Sequence, residues 1–319
     1  MKKILGSLIL LSAVLSGCVS IDLPRPGPLK EQLIGGKGGD KVLLLDISGV
    51  ITDEEERGLM GLRERVNLTA RVKEELELAS KDKNIKAVVL RINSPGGAVT
   101  TCDIIAHEVA AFKKKSAGKA PVVASLLDIA ASGGYYIAAS ADRIVAHPTT
   151  ITGSIGVIVY SVNVSGLMEK IGITGQTIKS GDKKDILSPL RQMTEDERRI
   201  LQTGIDEMYN RFLDVILETR KEHFTMERLK EIADGRVYTA RQALDLKLVD
   251  SIGYLDDAIE AAKGLAGIKD ASVVTYAPQS SYKNNIYSAD ARPTASPLSI
   301  LGPGLFGRAG FRFMYLWAP

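Results

Sequence analysis

Cysteine, histidine and aromatic residues are scarce in this chain of 319 residues: it has two cysteines, three histidines and one tryptophan, and aromatics make up 5%. Cys18 closes an apolar leader and Cys102 lies in the globular part, so a structural disulfide between them is excluded as a framework, and their spacing suits no zinc site. Charge of one sign is also missing. The 41 basic and 38 acidic residues leave a formal net charge of +3, and no Lys/Arg stripe alternates with aromatics, so nucleic acid is not an implied partner. What is abundant is apolar residues, 45% of the chain, enough to bury a large core.

The opening MKKILGSLILLSAVLSGC places Lys2 and Lys3 before an apolar run over residues 4–15, then small residues. That is a secretory leader, too short to span a bilayer comfortably. Its LSGC ending resembles the bacterial lipobox, which implies lipidation of Cys18, cleavage after residue 17 and a lipid-anchored protein of the bacterial cell envelope. Val19 leaves inner and outer membrane both open. Residues 18–41, rich in proline, glycine and charge, read as a tether.

From residue 42 short apolar runs alternate with helical patterns. KVLLLDISGVI, KAVVLRI, PVVASLL and DRIVAH read as strands, and helices are expected from Thr69, over residues 101–115 and through YYIAASA. Strands that are apolar throughout and separated by helices predict a parallel-rich α/β domain with both sheet faces covered. The second half is mostly helical: Thr194 and an acidic first turn open a long amphipathic helix carrying Ile200, Ile205, Met208, Phe212, Val215 and Ile216. One domain over residues 42–275 is expected, then an irregular tail over residues 276–319. The tail ends FRFMYLWAP, where Phe311, Phe313, Tyr315 and Trp317 alternate as on one strand face. Such an exposed ladder is expected to dock, as a strand added to its own or a neighbour's edge near a substrate groove, or by ordinary packing or membrane-interface contact.

Two glycine clusters carry chemistry. In DIAASGGYYIA, Ser132 is flanked by Ala131, Gly133 and Gly134; small neighbours let a substrate backbone come close, and the glycine after a serine donates an unobstructed amide to an oxyanion. In RINSPGGAVTTCDII, Pro95, Gly96 and Gly97 read as a strand-to-helix turn whose free amides face outward. Together they suggest acyl transfer. A histidine base has little support, since His107, His147 and His223 stand in no motif, and His107 reads as a partly buried helix residue. The alternative is a lysine from IKSGDKKDILSPLRQMT, a polar loop expected to follow a strand, with Lys179, Lys183 and Lys184 as candidates. Burial would have to bring its pKa from about 10.4 toward 7, a cost of roughly 4 kcal/mol, and Asp182 and Asp185 would oppose this if they paired with it.

SPGG, ASGGYYIA, TGSIGV, KSGDKKDILSP and ADGRVYTARQALDLKLVD occur in the order and approximate spacing of the bacterial signal peptide peptidase A family, also called protease IV, which the chain resembles over residues 42–265. The resemblance implies a ClpP/crotonase-like fold and a serine-lysine endopeptidase, in its short single-unit form, that assembles into homo-oligomers with a shared active site and cleaves remnant signal peptides or other apolar segments. Residue by residue it implies Ser132 as nucleophile, Lys184 as general base with Lys183 in reserve, Ser154 supporting the base, and the amides of Gly97 and Gly133 as oxyanion hole. No metal or cofactor is implied. Two departures stand out: an apparent lipid anchor at Cys18 where relatives commonly have a transmembrane segment, and Cys102 where many have a small hydroxyl residue. The competing expectations are a non-catalytic envelope scaffold of the same fold and a crotonase-like acyl-CoA enzyme, the latter disfavoured by the secretory leader.

Overall fold

The computed structural model describes residues 28–53, 67–277, 285–287 and 313–317. The leader, the lipidation position Cys18 and Phe311 lie outside these residues. Its strands are β1 (Lys30–Gly36), β2 (Lys41–Ser48), β3 (Ile85–Ser94), β4 (Gly96–Ala98), β5 (Val122–Ala131), β6 (Arg143–Ala146), β7 (Ile151–Gly153), β8 (Val237–Thr239), β9 (Ser251–Ile252), β10 (Ser272–Ala277) and β11 (Met314–Leu316). The helices are α1 (Leu68–Lys81), α2 (Val99–Lys115), α3 (Gly133–Ala138), α4 (Ser165–Lys170), α5 (Glu195–Arg220), α6 (Met226–Ile232), α7 (Ala240–Asp245) and α8 (Leu255–Ala266).

Among the described residues one mixed sheet runs in the order β1-β10-β2-β3-β5-β6-β9, with β7 pairing β5 and β8. The pairings from β10 through β9 are parallel, and the antiparallel ones, β1 with β10 and β7 with β8, lie at its margins. The expected α/β class of the ClpP/crotonase kind therefore holds. Apolar continuity in the central strands follows from the two-residue period: Leu43, Leu45, Val88, Leu90, Val122 and Ala124 join the core beneath α1, α2 and α3. Val42, Leu44, Ala87, Val89 and Val123 point the other way, against Leu255, Ala258, Ile259 and Ala262 of α8. A strand sandwiched this way is apolar on both faces at most positions, which is why its sequence does not alternate.

One exception carries its own partner. Asp46 on β2 and Arg91 on β3, both 2% exposed, face each other in register, with Arg91 Nε donating to Asp46 Oδ1 at 2.9 Å. The long helix begins as expected. Thr194 Oγ1 accepts from the Glu197 amide at 3.2 Å and Glu197 accepts from the Thr194 amide at 2.9 Å, closing a capping box.

Three expectations change. Residues 30–36, placed in the tether, form β1 and pair with β10, because their backbone finds an open sheet edge and Ile34 a place in the core, neither of which composition reveals. The lysine loop follows irregular chain rather than a strand: residues 154–162 before it form no strand beyond a single bridge from Ile158 to Met314. Pro95-Gly96-Gly97 is not a turn with free amides: Gly96–Ala98 is the strand β4, and the Gly96 amide donates to Ser94 Oγ at 3.0 Å.

Candidate active site

β5 is ten residues long and serves two neighbours in tandem, pairing β6 over Val123–Leu126 and β7 over Ile129–Ala131. This second pairing sets Ala131 opposite Gly153, so that Ser132 and Ser154 leave their strands side by side. The Ser132 amide donates to the Gly153 carbonyl at 2.7 Å, and the Ser132 carbonyl accepts from the Tyr136 amide at 2.8 Å as α3 begins. Between those bonds Ser132 is forced to φ 52° and ψ −115°, a conformation that costs a non-glycine residue roughly 1–3 kcal/mol. Such an elbow aims a side chain away from both the strand it ends and the helix it opens. Ser132 is 1% exposed, and its hydroxyl has no hydrogen-bond partner among the described residues.

The glycines around it are required by contact. A Cβ on Gly97 would sit 1.9 Å from the Ile51 carbonyl oxygen, and one on Gly133 would sit 2.4 Å from Cys102 Sγ and 3.1 Å from Gly96 Cα. The two glycine clusters thus meet, with Gly133 pressed against β4. Cys102 lies beneath them on α2, a buried free thiol whose ionisation burial pushes up. Ser154 has φ 50° and is 7% exposed, and its amide donates to the Arg236 carbonyl at 2.7 Å.

Of the site residues expected, Ser132, Gly97, Gly133 and Ser154 are brought together, whereas Lys184 is not hydrogen-bonded to any of them. Lys184 lies on an exposed turn and makes no ion pair with a described residue. Its neighbours are engaged. Lys179 Nζ contacts Asp185 Oδ1 at 2.6 Å and the Asp182 carbonyl at 3.0 Å, and Lys183 pairs with Asp196. Of the two carboxylates that would oppose a neutral lysine, Asp185 is therefore taken up by Lys179 and Arg191, whereas Asp182 is held only through its backbone carbonyl. The histidines are distant from this chemistry: His147 packs edge-on against Tyr254, His223 lies by Glu222, and His107 is exposed rather than partly buried, because its position on α2 faces away from the sheet.

Residues 173–194 are anchored to α5 through Arg191, which bonds Asp185 Oδ2 at 2.9 Å and Glu197 Oε1 at 2.5 Å. Arg191 and the Thr194 amide hold the Glu197 carboxyl down at about 2 from an ordinary 4.5, and Arg191 with Lys179 depresses Asp185 in the same way. A depressed carboxylate stabilises the fold fully above its unfolded pKa and ceases to do so as pH falls through the folded one. Protection of the Glu197 and Arg198 amides against exchange, corrected for intrinsic rates, should stay level down to pH 4.5 and fall between there and pH 2. Loss already near neutrality, or level protection throughout, would contradict this anchoring.

Sequence reasoning missed the residues that wall the site beyond β4. Met208 and Phe212 sit in the apolar stripe of α5 and carry no signal separating them from ordinary core, and Asp103, which accepts from the Tyr136 hydroxyl, stands in no motif. Ile200, on the same stripe, is 49% exposed, although Glu197 and Leu201 on either side of it are buried.

The family model for peptidase family S49 matches residues 113–269, and that for Clp protease matches residues 53–158. An Enterococcus faecium protein named "Putative signal peptide peptidase SppA" is 40% identical over 251 residues, which cover 77% of this chain and 70% of that one. Protease 4 of Salmonella typhi is 37% identical over 72% of this chain and 35% of its own length. The chloroplastic serine protease SPPA of Arabidopsis thaliana is 32% identical over 78% of this chain and 36% of its own. The chain thus spans about a third of those two longer proteins. The S49 match contains β5, the Ser132 elbow and the loop with Lys184, and similarity of this extent decides the matter: the chain belongs to peptidase family S49 and is a serine-type protease.

Proposed function

We propose that the chain is an endopeptidase with a Ser-Lys dyad, lipid-anchored through Cys18 in a bacterial envelope, that cleaves signal-peptide remnants and other apolar segments. Ser132 Oγ attacks the peptide carbonyl carbon while its proton passes to the neutral amine of Lys184, which the Ser154 hydroxyl orients. The amides of Gly97 and Gly133 stabilise the oxyanion. As the intermediate collapses, the C–N bond breaks and the lysine proton goes to the leaving amine. Water, deprotonated by the same lysine, then attacks the ester carbon and frees Ser132. The observation that carries this reading is the buried, strained Ser132 elbow with Gly133 packed on β4. The reading calls for no metal or cofactor. No described helix is long and apolar enough to cross a membrane, and mass spectrometry of the mature amino terminus reads the lipid on Cys18 directly.

The lysine is supplied by a neighbouring copy in a homo-oligomer. Tyr160, Leu167, Ile171, Ile173 and Ile178, on the same arm as Lys184, are each more than half exposed, a density of bare apolar side chains that argues for a covering partner. Docking that arm on the next copy takes the amine out of water, which lowers its pKa toward the neutral form a base needs. Hydrolysis of an unstructured apolar peptide, followed through a dilution series alongside the assembly's mass, is the test. Activity per mole should vanish as the assembly dissociates. Full activity in a monomer would overturn the shared site, and no cleavage by the intact assembly would overturn the peptidase.

A further inference from the structure

Ser132 and Ser154 owe their places to one glycine and to the strand behind it. Gly153 accepts the Ser132 amide at its carbonyl and has φ +84°, and Ser154 follows at φ 50°. Two successive residues with positive φ end β7 and set the direction in which Ser154 leaves it. For the serine that conformation is unfavourable, and it persists only where surrounding structure imposes it.

What imposes it is β8. The strand pairs antiparallel with β7, Thr152 opposite Tyr238 and Gly153 opposite Val237, and its Arg236 carbonyl takes the Ser154 amide. The Tyr238 ring fills the space a side chain at position 153 would need: a Cβ there would sit 2.6 Å from Tyr238 Cδ2 and 3.1 Å from the Arg236 carbonyl oxygen. β8 is pinned from both ends. The Ile232 and Ala233 carbonyls, at the end of α6 where helical partners run out, accept from the hydroxyls of Tyr238 and Tyr209, each at 2.7 Å. On the other side Thr239 caps α7, its Oγ1 accepting from the Gln242 amide at 3.3 Å. The exposed turn Asp234-Gly235-Arg236 is closed on itself, with Arg236 Nε donating to both Asp234 carboxylate oxygens at 2.8 Å and the Arg236 amide donating to Asp234 Oδ1 at 3.1 Å. Packing alone does not hold the ring, because a cavity of about 370 Å³ lined in part by Ile232, Arg236, Tyr238 and Leu246 opens beside it. The hydroxyl bond to Ile232 keeps the ring against Gly153.

We infer that Tyr238 is a positioning residue for the reaction: its ring, tethered to the Ile232 carbonyl, fixes the Gly153 backbone and through it both the nucleophile Ser132 and the base-orienting Ser154. The roles of the two serines rest on the peptidase reading; the contacts that place them do not. Tyr238 touches no reacting atom. A small displacement of either serine slows proton transfer and attack, whereas the peptide is held by other groups, so the loss falls on kcat and spares KM.

Three variants of the full chain test this. Tyr238→Leu removes the ring and should lower kcat at least about thirtyfold, with KM within about twofold of native. Tyr238→Phe keeps the ring, gives up only the hydroxyl bond and should stay within about fivefold of native kcat. Arg236→Ala opens only the exposed ion pair of the turn and should cost about threefold. Amide exchange in substrate-free protein is the second readout. The Ser132 and Ser154 amides should exchange at least about tenfold faster in Tyr238→Leu and less so in the other two, while the amides of β3 keep their native rates. Native kcat in the Leu variant, or slowed turnover with both serine amides at native rates, would overturn the positioning. So would a rise in KM together with faster exchange throughout β3, the mark of a residue that merely supports the fold. Should Tyr238→Leu fail to fold, native turnover and native exchange in both Tyr238→Phe and Arg236→Ala would overturn it equally. If the variants loosen the two amides as stated but the native chain cuts nothing, only the peptidase reading sinks. If the native chain cuts and Tyr238→Leu cuts as fast, only this inference does.

Discussion

Ser132→Ala should abolish peptide hydrolysis, lowering kcat by at least about a thousandfold, with the fold and assembly intact. The size of the effect follows from the role: without Oγ no acyl-enzyme forms, and the oxyanion donors can act only on attack by water. The fold should be indifferent for local reasons. The Ser132 hydroxyl bonds no described residue, so its removal orphans nothing, and alanine at φ 52° is about as strained as serine there. The elbow is held by the backbone bonds to Gly153 and Tyr136, which the substitution keeps. Steady-state cleavage of an apolar peptide beside the circular dichroism melt checks both halves. More than a tenth of native activity in a purified, folded variant would remove Ser132 from the reaction.

The second large effect is a loss that mixing repairs. Lys184→Ala should be as inactive as Ser132→Ala, because an alkyl side chain can neither take the hydroxyl proton nor return it to the leaving amine. Co-assembly of the two dead variants from a random mixture should nevertheless recover roughly a quarter of native activity, since a quarter of neighbouring pairs then join an intact serine to an intact lysine. The exposed position of Lys184 within one chain, against the burial of Ser132, is what motivates this proposal. Lys183, tied to Asp196, should tolerate alanine with activity largely kept. An active Lys184→Ala variant would end that residue's role, and dead variants whose co-assemblies stay dead would end the sharing between copies.

Much of the framework was legible because its causes are local. The Thr194 capping box and the doubly buried runs of β2, β3 and β5 each depend on neighbours within a turn or on a two-residue alternation. The small residues around Ser132 announced a close approach of backbone, and the contacts a Cβ would make at Gly97 and Gly133 show what they are small for. Where chain met chain across long separations, the reading failed. The segment over residues 30–36 looked like tether because its strand partner, β10, lies more than two hundred positions away. The glycines of β4 looked like a turn because β11, the strand that pairs with them, is equally remote.

Determined by sequence, then, are the alternation of strands and helices, the helix ends, and the serine and glycines set where a backbone must come near. The tertiary structure decided the positive-φ elbow at Ser132, the occupation of β4 by residues 313–317, and the exposure of Lys184 beside the burial of the serine. The reason is one of range. Propensity, capping and periodicity act over a few residues, whereas register between distant strands is selected by the free energy of the whole packed arrangement and leaves no mark on either segment by itself.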